Sequence, residues 1–199
     1  MSSPELEQRF ARQIILPEVG VAGQKKWAEA SLLLAGEGVA LESAKTALES
    51  AGLFKLIPWD SSSPLPSASL TLVVTEGASL RREISRKVRR EARPALFAWA
   101  SGSGFALFFS RHSGGDCPCL ECFEATNPKV FAHSQPPVQR LLGAMAASEA
   151  LLWLLKEETP LEGKVWMASL EEGLSFHHEV SPSPKCQARL LAENSPMTP

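Results

Sequence analysis

Apolar positions along this chain alternate between two rhythms. Leu32-Leu33-Leu34-Ala35, Leu70-Thr71-Leu72-Val73-Val74 and Ala95-Leu96-Phe97-Ala98-Trp99-Ala100 are short, nearly continuous apolar runs, the pattern of strands buried on both faces. Between them apolar residues recur at helical spacing. Ala40, Ala44, Ala47, Leu48 and Ala51 predict a helix that Gly52 stops. Leu80, Ile84, Val88 and Ala92 predict a second, capped by Ser79 and ended by Pro94. Residues 53–59 predict a strand ending in Asp60. Residues 31–60 therefore read as strand, glycine turn, helix, strand, with Gly36-Glu37-Gly38 in the turn. That order is the unit that holds nucleotide phosphates at a helix N-terminus.

The flanking segments complete an α/β pattern. Residues 5–13 predict a charged helical start, stopped by Pro17, and Gly20, Gly23 and Gln24 precede a short helix through Trp27. Residues 101–104, Ser-Gly-Ser-Gly, turn the run at 95–100 into a further strand at 105–110, adjacent and antiparallel. A cysteine-rich DCPCLECFE follows, then residues 125–138 with three prolines, read as loop. Residues 139–156 predict a helix with Leu142, Ala146, Ala150, Trp153 and Leu154 toward the core. Its small residues Gly143, Ala144, Ala146 and Ala147 permit close approach of another element. Residues 165–170 and 174–180 predict a hairpin, with Cys186 in the loop after it. Alternating strands and helices first, hairpins later, predict a mixed sheet flanked by helices. We expect one domain over 1–190: an N-terminal helical arm (1–30), the nucleotide-type unit (31–60), and the cysteine knuckle, crossover loop, helix and hairpin (116–186). Residues 191–199 are expected to be a flexible tail.

Composition narrows the function classes. At 199 residues the chain is long enough to bury a core without staples. Charged residues at 21% and a net charge of -2 give no global pull toward nucleic acid or anionic membrane. No apolar run approaches the roughly 20 residues of a membrane span, and no signal-peptide core stands at the N-terminus, so a cytoplasmic protein is expected. In that compartment four cysteines point to metal or chemistry before disulfides. Arg81, Arg82, Arg86, Lys87, Arg89, Arg90 and Arg93 are expected to be a solvated helix face, with a surface for phosphate or an acidic partner as the sharper alternative.

The motifs together resemble the ThiF/MoeB/HesA family, which includes the ubiquitin-activating enzymes, in a shortened form. RFARQIILPEVGVAGQKKW is similar to that family's N-terminal signature, with Arg9, Arg12, Gln13, Pro17, Gly20, Gly23 and Gln24 in register. The glycine turn and Asp60 follow, and the cysteine pair resembles its zinc knuckle. The resemblance spans residues 5–186 and implies a Rossmann-like fold with ATP and Mg²⁺ at a site including Gly36, Gly38 and Asp60. It also implies a homo- or heterodimer that adenylates the C-terminus of a ubiquitin-like or sulfur-carrier protein. Arg12 resembles the arginine such proteins reach into a partner's ATP site. Zn²⁺ is implied at Cys119, Cys122 and Cys186, with Cys117, His177 or His178 as the fourth ligand.

The departures bear on chemistry. In G-x-G-x-x-G the third glycine brings helix and strand together, and here Leu41 stands there. Glu37 puts a carboxylate where triphosphate lies, at a cost of about 1 kcal/mol or more. No Lys or Arg lies between Lys55 and Arg81, although phosphate chemistry needs positive charge where negative charge develops. Gly77 stands where the family has an Mg²⁺-holding Asp; the adjacent Glu76 is expected to point the other way on an extended segment. The crossover loop has no cysteine, which argues against a covalent thiol step. The expectation is a non-catalytic or weakly active subunit that pairs with a full-length relative or with itself. Two alternatives stay open: an active adenylyltransferase with a divergent site, and a binding scaffold with a vestigial pocket.

Overall fold

The computed structural model describes residues 3–60, 62–111, 118–126 and 134–183. Cys117, Cys186, residues 127–133 and the tail lie outside them. In chain order the elements are α1 (Ser3–Arg9), α2 (Ala11–Ile14), α3 (Gly20–Glu29), β1 (Ser31–Gly36), α4 (Val39–Ala51), β2 (Lys55–Pro58) and β3 (Leu70–Val74). There follow α5 (Ala78–Arg90), β4 (Ala95–Ser101), β5 (Gly104–Ser110), α6 (Leu120–Thr126), α7 (Pro136–Lys156), β6 (Lys164–Ser169) and β7 (Leu174–Glu179).

The strands form one sheet of order β2-β1-β3-β4-β5-β6-β7. β2, β1, β3 and β4 run parallel, and β5, β6 and β7 antiparallel, as the apolar runs and the hairpin pattern predicted. Side chains alternate across the central strands. Leu32, Leu34, Leu72, Val74, Leu96 and Ala98 face α3, α4 and α7. Leu33, Ala35, Val73, Phe97 and Trp99 face α5 and α6. The continuous apolar runs follow from burial of both faces.

Several boundaries differ from expectation. The arm breaks at Phe10, whose ring is buried and stands 6.1 Å from that of Phe54. Gly20, Gly23 and Gln24 lie within α3, where Gln24 Nε2 donates to the Ala51 carbonyl at 2.8 Å. Ser79 does not cap α5; the N-cap is Gly77, whose N–H donates to Thr75 Oγ1 at 3.1 Å. Ala92 is exposed in the turn after α5. Residues 125–138 are not all loop: α6 continues to Thr126, and Pro136 and Pro137 open α7, where a proline's missing N–H costs nothing and its fixed φ suits the first turn.

α7 is long and apolar enough to cross a membrane by length and composition, with half of that window buried in the protein. Much of its packing is against α4, with backbone on backbone. A Cβ on Gly143 would lie 2.2 Å from the Ala40 carbonyl oxygen and 2.9 Å from the Ala44 nitrogen.

Two outcomes follow. Gly143→Ala improves helix propensity by about 1 kcal/mol, yet the clash is with backbone that cannot rotate away. A net loss of about 1–3 kcal/mol is expected in urea unfolding. Glu149, on α7, has its pKa raised by burial, against a hydrogen bond from Thr159 and the charge of His177, and its Oε2 has no hydrogen-bond partner. A raised folded pKa stabilises below the unfolded value and loses that stabilisation as pH rises through the folded one. Glu149→Gln should therefore raise Tm at pH 8 relative to the parent chain, with the advantage fading near pH 4.

Candidate functional site

β1 pairs with β2 on one side and β3 on the other, so the connections leave β1 toward opposite edges of the sheet, the switch point where open α/β sheets form clefts. A cleft of about 380 Å³ opens there over the carboxyl ends of β1, β3 and β4. Glu37, Gly38, Val39 and Ala40 line it from the turn into α4. Val74, Thr75, Glu76 and Gly77 line it from the turn into α5. Trp99 and Ala100 come from β4, Gln139 and Leu142 from α7. The volume lies within the range of small-molecule sites.

The glycines of the turn divide the work. Gly36 holds φ +123°, and a Cβ there would sit 1.9 Å from the Val74 carbonyl oxygen, so it lets β1 and β3 close at the cleft floor. Gly38 (φ +88°) is the N-cap of α4 and lines the cleft. Leu41 is half-buried and packs against the core on the α7 side. The close approach that the motif's third glycine ordinarily provides is made here between α4 and α7, through Gly143.

The N-terminal ends of α4, α5 and α7 meet at this cleft, and each carries about half a positive charge. Carboxylates answer them. Glu76 does not point away, as strand alternation predicted. β3 ends at Val74, so the pleat no longer sets its direction. Its Oε1 accepts from Gln139 Nε2 at 2.9 Å and from the Ser134 hydroxyl. Glu37 is exposed at the lip. Among the described lining residues there is no Lys or Arg. Among the described residues the donor set does not fit a triphosphate, because two carboxylates line the cleft and no cation does. An open groove sharing Gly38 and Val39 with the cleft continues along α4 to Arg140.

Asp60 lies beyond β2, exposed, and does not line the cleft. Its carboxylate accepts from the Ser62 N–H at 2.9 Å and the Ser62 hydroxyl at 2.7 Å. The backbone bond first and the hydroxyl second hold its pKa below the ordinary carboxylate value. Arg12 is exposed on α2.

The basic face of α5 is solvated only in part: Arg82 and Arg90 are exposed, as expected, but other members of the run are buried or paired. Arg81 is fully buried, Arg82 pairs with Glu124, Arg86 with Glu121, and Arg93 Nη1 donates to the Pro66 carbonyl at 2.7 Å. The available signal was Glu121 and Glu124 at i, i+3 on the cysteine-bearing segment, an acidic stripe matching the basic one. Cys119 and Cys122 there are buried, with sulfurs 3.7 Å apart. Two thiolates at about 2.3 Å from a tetrahedral zinc stand about 3.8 Å apart, so the spacing fits that metal. Among the described residues no three metal-ligating groups cluster. His177 and His178 are exposed on β7, with the His178 ring 6.1 Å from that of Phe123.

No protein-family model matches the sequence, and no curated protein does. Solved structures do. E. coli MccB with selenomethionine-labelled MccA superposes at a TM-score of 0.74 and 13% identity, over 92% of this chain and 74% of that one. The microcin C7 biosynthetic enzyme MccB with N-formylated MccA gives 0.74 and 13%, over 95% and 77%. A heterocyclase in complex with substrate and cofactor gives 0.64 and 15%, over 93% of this chain but 31% of that one. The chain has a ThiF/MoeB-type fold.

Removing one of the two donors on Asp60 has a readable consequence. In Ser62→Ala the backbone N–H remains, so the Asp60 titration midpoint should rise but stay below the ordinary value, read by carbon NMR of the carboxyl. The lowered pKa stabilises at neutral pH and is lost as pH falls through the folded value; the variant loses part of that.

Proposed function

We propose that this chain, with its ThiF/MoeB-type fold, is a subunit without adenylation activity of its own, working in the cytoplasm in the activation of a ubiquitin-like or sulfur-carrier protein. The observation that carries this reading is the charge of the cleft: Glu37 and Glu76 face it, and among the described lining residues no cation does. Adenylyl transfer depends on preorganised positive charge around the phosphates. Arg12, exposed on the arm, is the group the subunit lends across a homo- or heterodimer. The partner is the carrier, a full-length relative, or both. The MccB complexes with MccA add a peptide as a further form of substrate.

Zn²⁺ belongs to the same reading, held by Cys119 and Cys122 with Cys117 and Cys186. The 3.7 Å sulfur spacing supports it. Metal analysis should find one zinc per chain, absent in Cys119→Ser.

One observation favours a second reading, an active adenylyltransferase with a divergent site. Glu76 reaches the cleft and offers a hard oxygen ligand of the kind Mg²⁺ takes. Pyrophosphate exchange with the candidate carrier separates the two. The chain alone should give no exchange above background, and robust turnover would overturn the first reading. With an active relative added, exchange should appear, and Arg12→Ala should reduce it by about 100-fold or more.

A further inference from the structure

Arg81 is the largest buried polar side chain among the described residues, and its contacts converge on the cleft wall. Nη1 donates to the Thr75 and Glu76 carbonyls, each at 2.9 Å. The guanidinium carbon sits 4.9 Å from the centre of the Trp99 ring. Thr75, Glu76 and Trp99 all line the cleft. On its other side Nη2 stands 3.5 Å from Glu124 Oε1, on the helix that begins after Cys119. Phe123, the preceding residue of that helix, sets its ring 5.9 Å from that of Trp99, tilted by 49°.

We propose that Arg81 is a positioning residue that sets the shape of the cleft, and that through Glu124 it couples the cleft to the cysteine-bearing helix α6. Arg81 holds all three carbonyls of the turn Thr75-Glu76-Gly77, the third through its own backbone N–H at 3.1 Å from the Gly77 oxygen. One guanidinium nitrogen donates to the Thr75 and Glu76 carbonyls while the rest of the planar group lies over Trp99 and reaches Glu124, a combination that a single ammonium point charge cannot make. Its charge is buried, so it requires a carboxylate partner, and α6 supplies it. Glu76 passes the constraint on, because its carboxylate is bonded to Gln139 on α7. Displacing α6, by loss of whatever Cys119 and Cys122 hold, then loosens the wall of a cleft that α6 does not line. This concerns the same cleft as the proposed function but does not depend on whether adenylation occurs there.

The test is amide hydrogen exchange by mass spectrometry on the full chain. In Arg81→Lys, exchange in the peptide spanning residues 75–81 should rise about 10-fold or more, with β1 and the centre of α7 within about twofold of the parent. Glu124→Gln should give the same local pattern, and Glu124→Asp should restore much of it. A uniform rise across all peptides, or no rise at 75–81, overturns the proposal. If Arg81→Lys does not fold, Glu124→Gln alone decides by the same criteria. Pyrophosphate exchange is read separately, so failure here leaves the proposed function standing, and the converse holds.

Discussion

The contact of α4 with α7 through Gly143 fixes where everything else in the cleft stands. Without a Cβ at that position the two backbones meet, with the Ala40 carbonyl beside the glycine. Ala40 is in the first turn of α4 and lines the cleft; Gln139, one turn before Gly143, lines it from α7. One close approach therefore sets the relative position of two helix N-termini. A side chain there would move both away from the carboxyl ends of β1 and β3. Leu41, in a position usually given to glycine, is half-buried against the same core.

Electrostatics then decide what the cleft admits. Converging helix N-termini favour an anion. In this chain the anions are built in: Glu76, anchored by Gln139 and Ser134, and Glu37 at the lip. Arg81, Arg82 and Arg86 face α6, where Glu121 and Glu124 meet them, and their pairing serves to dock one helix on another. Burial also lowers the pKa of Arg81, opposed by Glu124, as expected of a guanidinium removed from water.

Much of this was legible in the residues. The three apolar runs and the late hairpin became strands in the predicted chain order and direction, with the glycine turn between β1 and α4, since period and continuity report burial directly. The small residues of α7 announced a close approach, and Gly143 makes it. Expectation failed where a side chain's direction depends on where a strand stops. Glu76 was assigned by alternation, but β3 ends two residues earlier. It failed again on the arginines of α5. A run of like charges reads as surface until an acidic helix distant in sequence is laid against it.

The sequence by itself determined the class of fold, the order of its elements and the two-sided burial of the sheet, because those follow from local periodicity and from the conformations only glycine and proline permit. Only the tertiary structure decided which charges face the cleft and which face another helix. That choice rests on pairings between residues tens of positions apart, such as Arg81 with Glu124 and Glu76 with Gln139. No local pattern encodes them, because the energy of a charge depends on what packs around it rather than on its neighbours in the chain.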